Sequence, residues 1–199
     1  NDLKVFSNYG VILQNLGKLQ EAEVCLRKAI DIKPDYATAY NNLGIILKDL
    51  GKLQEALDSY MKVIEINPTF SNIYPSITRF IRDSDISQLN KSKLKDILNI
   101  LLERNDLRHK ELFNAFNFLY KNKIVIHLEK IDSDFSNIEL LVNEKIIINA
   151  LKKIIFQDVR LEKMLTNIRK YICGINNRSK EEISYSELQF IIALGEQCF

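Results

Sequence analysis

The chain has 199 residues, 46% apolar and 27% charged, with a formal net charge of +2, a balance that belongs to folded globular proteins and argues against a disordered chain. So mild a positive charge points away from nucleic acid or an acidic membrane as the main partner, and no apolar run of about 18 residues calls for a membrane span. Three cysteines, Cys25, Cys173 and Cys198, form no CxxC pair, which argues against a disulfide framework or a zinc site and leads us to expect a reducing, cytoplasmic setting.

Taken in chain order, residues 3–36 and 37–70 are two copies of one 34-residue unit. Asn8 and Asn42, Gly10 and Gly44, Ile12 and Ile46, Leu13 and Leu47, and Pro34 and Pro68 are identical at that offset, as is the block LGKLQEA at 16–22 and 50–56. A period of this length is the mark of a helix-turn-helix solenoid unit. In the first helix of each unit, Phe6, Tyr9, Leu13 and Leu16, then Tyr40, Leu43, Leu47 and Leu50, recur at spacings of three and four and predict a buried helical face.

Gly10 and Gly44 stand on that face, where a missing side chain lets the partner helix approach; the small Ala22 and Ala56 serve the same purpose from the second helix. Gly17 and Gly51 follow the first helix as left-handed caps. The second helices are predicted over 19–32 and 53–66, and Pro34 and Pro68 prevent their continuation. The expected outcome is an all-α superhelix of antiparallel helix pairs with one concave face.

The next segment, 71–104, keeps the apolar framework of a third, degenerate unit, with Tyr74, Ile77, Phe80 and Ile81 in one helix and Leu94, Ile97, Leu98 and Leu101 in another. The diagnostic Gly, Ala and Pro are replaced there by Thr78, Asn90 and Leu102. Two repeats alone bury too little, so this unit is expected to start a cap. Residues 105–199 read as a C-terminal helical domain with helices near 107–121, 123–131, 136–143, 145–156, 158–173 and 184–198. Asp106, Ser136, Asp158 and Ser184 are candidate caps, and 174–182 is a loop. Because the sequence opens inside a repeat and stops at Phe199 within an apolar helical pattern, it reads as a piece of a longer protein.

The repeat residues resemble the tetratricopeptide repeat family: Tyr40, Leu43, Gly44, Leu47, Ala56, Tyr60 and Pro68 match its pattern, as do Phe6, Tyr9, Gly10, Leu13, Ala22, Leu26, Ala29 and Pro34 in the first copy. The resemblance covers the first third of the chain and implies a protein-interaction scaffold. In that geometry the concave groove presents Lys4, Ser7, Asn8, Val11 and Asn15, then Thr38, Asn41, Asn42, Ile45, Lys48 and Asp49. We expect an extended peptide or a partner helix to bind through Asn8, Val11, Asn41, Asn42, Ile45 and Lys48.

A side-chain amide carries both donor and acceptor, so Asn8 and Asn42 can hold a peptide backbone whatever its sequence. Their placement resembles the asparagine ladder of O-linked N-acetylglucosamine transferases, with Ser76 ending it in the third unit. The competing reading leaves the two amides on a solvated face. Ser7 and Asn41 stand where a two-carboxylate clamp for chaperone tails would require basic residues, which argues against that ligand.

No catalytic residue, metal site or cofactor is expected. Only Gly174 and Gly195 remain outside the repeats, too few for a phosphate-cradling loop, and His109 and His127 lie in separate predicted helices. The basic residues Lys152, Lys153, Arg160, Lys163, Arg169 and Lys170 alternate with acids and read as a solvated face. An alternative function is a non-catalytic, substrate-recruiting region of a larger transferase. Residues 183–199 resemble the helical lead-in of bacterial fusions to S-adenosylmethionine-dependent methyltransferases, and the Asn pair suggests a glycosyltransferase. Self-association through the exposed edge of the repeat array is a further possibility.

Overall fold

The computed structural model describes residues 2–133, 145–153, 163, 165 and 166, and every regular element among them is helical. The chain divides into two compact units, Asn1–Ile97 and Leu98–Phe199. The expected helices over 136–143 and 184–198 lie outside the described residues, as does that over 158–173 apart from 163, 165 and 166, and so do the loop at 174–182 and the caps Ser136, Asp158 and Ser184.

The first unit opens with α1 (Asp2–Asn15), α2 (Leu19–Ile32), α3 (Ala37–Asp49) and α4 (Leu53–Ile66). The second helix of each repeat has the bounds expected from sequence. α1 packs on α2 and α3 on α4, and the two pairs are joined by packing of α2 on α3 and of α1 on α3. Gly10 and Gly44 set the spacing within the pairs: a Cβ on Gly10 would lie 2.9 Å from Leu26 Cγ, and one on Gly44 would lie 2.7 Å from Tyr60 Cε1.

The turns inside the repeats are two copies of one hydrogen-bonded motif. Gly17 N–H donates to the Gln14 carbonyl and Lys18 N–H to that of Leu13, each at 2.9 Å; Gly51 and Lys52 repeat this onto Lys48 and Leu47 at 2.9 and 2.8 Å. Two otherwise orphaned carbonyls of each helix end are thereby satisfied. The geometry needs a left-handed residue, and Gly17 and Gly51 have φ of 74° and 76°. Nothing lies within 4 Å of a Cβ added at Gly51, so Gly51→Ala meets only the conformational penalty. We expect it to lower stability by about 1 kcal/mol in urea unfolding, with Gly51→Asn losing less.

The third unit departs from the period in its second half. Helix α5 (Ile73–Asp83) keeps the 34-residue register: Ile73, Ile77, Thr78, Phe80 and Ile81 are buried where Ala39, Leu43, Gly44, Ile46 and Leu47 are buried in α3. Thr78 in the glycine position donates its hydroxyl to the Tyr74 carbonyl at 2.9 Å.

A 3-10 turn, Ile86–Gln88, then intervenes, and α6 (Lys91–Glu103) begins four residues later than the period predicts. The sequence alignment of Asn90 with Ala56 is therefore corrected. Asn90 precedes the helix and caps it, its Oδ1 accepting from the N–H groups of Ser92 and Lys93 at 3.0 and 3.1 Å, and Leu94 takes the place of Ala56. Leu102, aligned with Pro68, is a buried residue of this helix rather than part of a turn.

In the second unit the two helices expected at 107–121 and 123–131 are one. A 3-10 turn, His109–Leu112, leads into α7 (Phe113–Ser133), a stretch with no glycine or proline to break it. Asp106 does not cap it: its carboxylate takes a paired hydrogen bond from the Arg104 guanidinium at 2.8 and 2.7 Å. The helix Lys145–Lys153 buries Ile146, Ile147, Ala150 and Leu151.

Lys153 was expected on a solvated face and is instead half-buried against the end of α6. Its ammonium donates to the Leu102 and Arg104 carbonyls at 2.7 and 2.9 Å and to Asn105 Oδ1 at 2.9 Å. His109 Nε2 also meets the Arg104 carbonyl, at 2.7 Å. Burial lowers the proton affinity of both groups.

The predicted buried face of α1 is corrected as well. Leu13 is buried and Phe6 half-buried, but Tyr9 and Leu16 are 49% and 67% exposed. Together with Val5 and Ile12 they form an apolar stripe on the outside of the first helix.

Candidate binding face of the repeats

The repeat period gives Asn8 and Asn42 the same place on α1 and α3, two helices in contact. Asn8 is exposed, while Val11, Asn41, Asn42, Ile45 and Lys48 are half-buried. Asn41 and Asn42 meet through their amides, Asn41 Nδ2 lying 3.4 Å from Asn42 Oδ1. Lys4, Asn15 and Asp49 are exposed and Thr38 is half-buried. Ser7, expected to face a ligand, is only 2% exposed and so cannot offer its hydroxyl without a shift of the helix.

Two polar bridges tie consecutive first helices together along this region. Gln14 Nε2 donates to Asp49 Oδ2 at 3.2 Å, and one repeat later Lys48 Nζ stands 3.9 Å from Asp83 Oδ2. Gln14 and Lys48 are 34 residues apart, as are Asp49 and Asp83, so one inter-repeat contact is made twice with different chemistry. Lys48 is thereby turned toward a carboxylate of the next helix.

A second polar arrangement was not anticipated from sequence. Glu23, 9% exposed, accepts from Lys52 Nζ at 3.0 and 2.8 Å and from Arg27 at 3.2 and 2.9 Å, and Arg27 reaches on to Glu55 at 2.7 Å. Burial alone would raise the Glu23 carboxyl, but the hydrogen bonds and charges of Lys52 and Arg27 outweigh it and hold it below its ordinary value. Lys52 and Glu55 belong to the repeated LGKLQEA block, whereas Glu23 and Arg27 are replaced by Leu57 and Met61 one unit on. No periodic signal marks them, which is why repeat alignment passes over them.

Beside this cluster a cavity of about 470 Å³ opens among α2, α3 and α4, bordered by Arg27, Asp31, Tyr40, Glu55, Asp58 and Lys62. The Asn residues do not line it. Among the described residues there is no group of three or more His, Cys, Asp or Glu side chains placed to hold a metal ion, and no helix is long and apolar enough to cross a membrane. Cys25 is a free, half-buried thiol.

Helix pairs repeated every 34 residues, with glycine at the close approach and a glycine-capped turn between them, define a helical-repeat protein. The family model for the tetratricopeptide repeat matches residues 2–69, about a third of the chain. No curated protein matches the sequence. Among solved structures it is similar to one from a study titled as the functional characterization of Pseudomonas aeruginosa PilF. That match has 14% identity over 98% of this chain and 90% of the other, with a TM-score of 0.42.

Proposed function

We propose that the repeats form a protein-interaction scaffold that takes an extended polypeptide along the face carrying Asn8, Val11, Asn41, Asn42, Ile45 and Lys48. The observation that carries this reading is the equivalent placement of two amides, Asn8 and Asn42, on adjacent helices. Each amide pairs with both a backbone N–H and a C=O, so a chain laid across the two is held without regard to its side chains. Val11 and Ile45, likewise 34 residues apart, add apolar contact beside each amide. The function is binding without turnover. A role as the recruiting region of a larger transferase rests on the same Asn pair and on residues 183–199, which lie outside the described residues.

The test is selection of unstructured peptides from a displayed library on the full chain, followed by Asn8→Ala/Asn42→Ala. Selected peptides should bind at least about tenfold more weakly to the double variant, since four hydrogen bonds, two per amide, are left unmade at about 0.5 kcal/mol or more each. Its melting temperature should stay close to that of the parent, because neither side chain is buried. Peptides that bind both proteins equally would overturn the assignment of this face.

A further inference from the structure

The cavity among α2, α3 and α4 is bordered by two polar groups, Asp31 and Tyr40, whose counterparts one period later are satisfied. The equivalents of Lys28 and Asp31 in the second repeat, Lys62 and Glu65, pair at 2.6 Å. In the first repeat Lys28 stands over the Phe6 ring instead, 6.0 Å from its centroid, and the exposed Asp31 carboxylate has no ion-pair partner among the described residues. The tyrosines differ in the same way. Tyr74 donates its hydroxyl to the Pro68 carbonyl at 2.8 Å, whereas the Tyr40 hydroxyl, with Pro34 at the same offset, makes no hydrogen bond among the described residues.

Charge balance at the rim selects the ligand. Arg27 is held by Glu23 and Glu55 at 2.9 and 2.7 Å, Lys62 by Glu65, and Asp58 by Lys93 at 2.7 Å, so both bordering cations are already matched by carboxylates. Asp31 is the excess charge, which turns the site toward a cation. Below the rim the wall is apolar: Leu43 and Leu47 are 2% and 1% exposed and Ile30 is half-buried. A volume of about 470 Å³ falls in the range of ligand pockets. A cation on a long aliphatic stem matches both parts. Two separate acceptors, a carboxylate and a hydroxyl oxygen, suit a planar guanidinium with its five donors better than a compact ammonium.

We propose that this cavity receives an arginine side chain of a partner polypeptide. Its guanidinium donates to the Asp31 carboxylate and to the Tyr40 hydroxyl oxygen, and its methylene stem lies along Ile30, Leu43 and Leu47. On α3, Tyr40, Leu43 and Leu47 are spaced by three and four residues and share one side of the helix, while Asn41, Ile45 and Lys48, spaced by four and three, occupy another. The site is therefore separate from the Asn-bearing face and does not depend on it.

The probe is the peptide acetyl-Gly-Arg-Gly-amide, titrated into the full chain carrying labelled Ile and Leu methyl groups and read by NMR. The Ile30, Leu43 and Leu47 methyl signals should shift saturably in the millimolar range, the affinity suited to one side chain. Citrulline in place of the arginine keeps its size and shape but removes the charge, and that peptide should bind at least about fivefold more weakly. Asp31→Asn, a change at an exposed position, should weaken the arginine peptide by the same factor. Tyr40→Phe should cost about threefold, and a lysine peptide should bind more weakly than the arginine one. Asn8→Ala/Asn42→Ala should leave binding unchanged, which separates failure of this site from failure of the Asn-bearing face. Equal binding of the citrulline peptide, indifference to Asp31→Asn, or shifts that spare Leu43 and Leu47 overturn the proposal. So does a lysine peptide that binds as tightly, since the site would then not select a guanidinium.

Discussion

Gly44→Val is expected to be among the most damaging single substitutions in the repeats, lowering stability by about 3 kcal/mol in urea unfolding followed by helical circular dichroism. A Cβ at this position would come within 2.7 Å of Tyr60 Cε1 and 2.9 Å of two further ring atoms. The ring has no room to retreat. Tyr60 is 2% exposed and meets Phe80 edge-on, with ring centroids 5.5 Å apart, so any displacement passes into α5. Gly10→Ala in the first repeat provides the control. There the obstruction is Leu26, whose Cγ and Cδ2 would lie 2.9 and 3.1 Å away and whose side chain can change rotamer. Removing a helical glycine gains about 1 kcal/mol, so Gly10→Ala should come out near neutral. Because Leu26 and Tyr60 are equivalent positions, Tyr60→Leu should relieve part of the strain. In that background the cost of Gly44→Val should fall by more than about 1 kcal/mol, the coupling expected of residues in direct contact. Equal costs in the two backgrounds would show that the ring is not the obstacle.

How far the fold was legible depended on whether a residue's role was local. The bounds of α2 and α4, the left-handed Gly17 and Gly51, and the close approach at Gly10 and Gly44 follow from signals within one 34-residue unit. The four-residue delay of α6 did not, because the inserted turn carries neither glycine nor proline and only the capping of two N–H groups by Asn90 marks the true start. Lys153 was misread for a related reason: the carbonyl of Leu102 that it satisfies lies 51 residues away along the chain, beyond any local pattern. The stripe on α1 shows another limit, since periodicity identifies an apolar face but not whether anything covers it. At the candidate site, the equivalence of Asn8 and Asn42 was visible from the repeat, while the burial of Ser7 depends on how neighbouring helices close over it.

Glu23 offers the second large effect, and its pH dependence distinguishes an ion cluster from simple packing. Glu23→Ala should cost about 2 kcal/mol at neutral pH, because it strips both Lys52 and Arg27 of the carboxylate they share. The loss stays below that of a fully buried pair, since the Lys52 and Arg27 side chains are 44% and 47% exposed and can turn to water. Glu23→Leu should cost less than Glu23→Ala, the repeat itself placing the buried Leu57 at the equivalent position of α4. The sign of the pH effect follows from the direction of the shift. The folded carboxyl titrates below its ordinary value of 4.5, so its contribution is fully present above that pH and is lost as the pH falls through the folded value. The stability difference between the parent and Glu23→Gln should therefore be constant near neutrality and shrink in acid, and high salt should narrow it by screening the two half-exposed cations. A difference that persists unchanged to about pH 3 would assign the effect to shape and packing at Glu23 rather than to its charge.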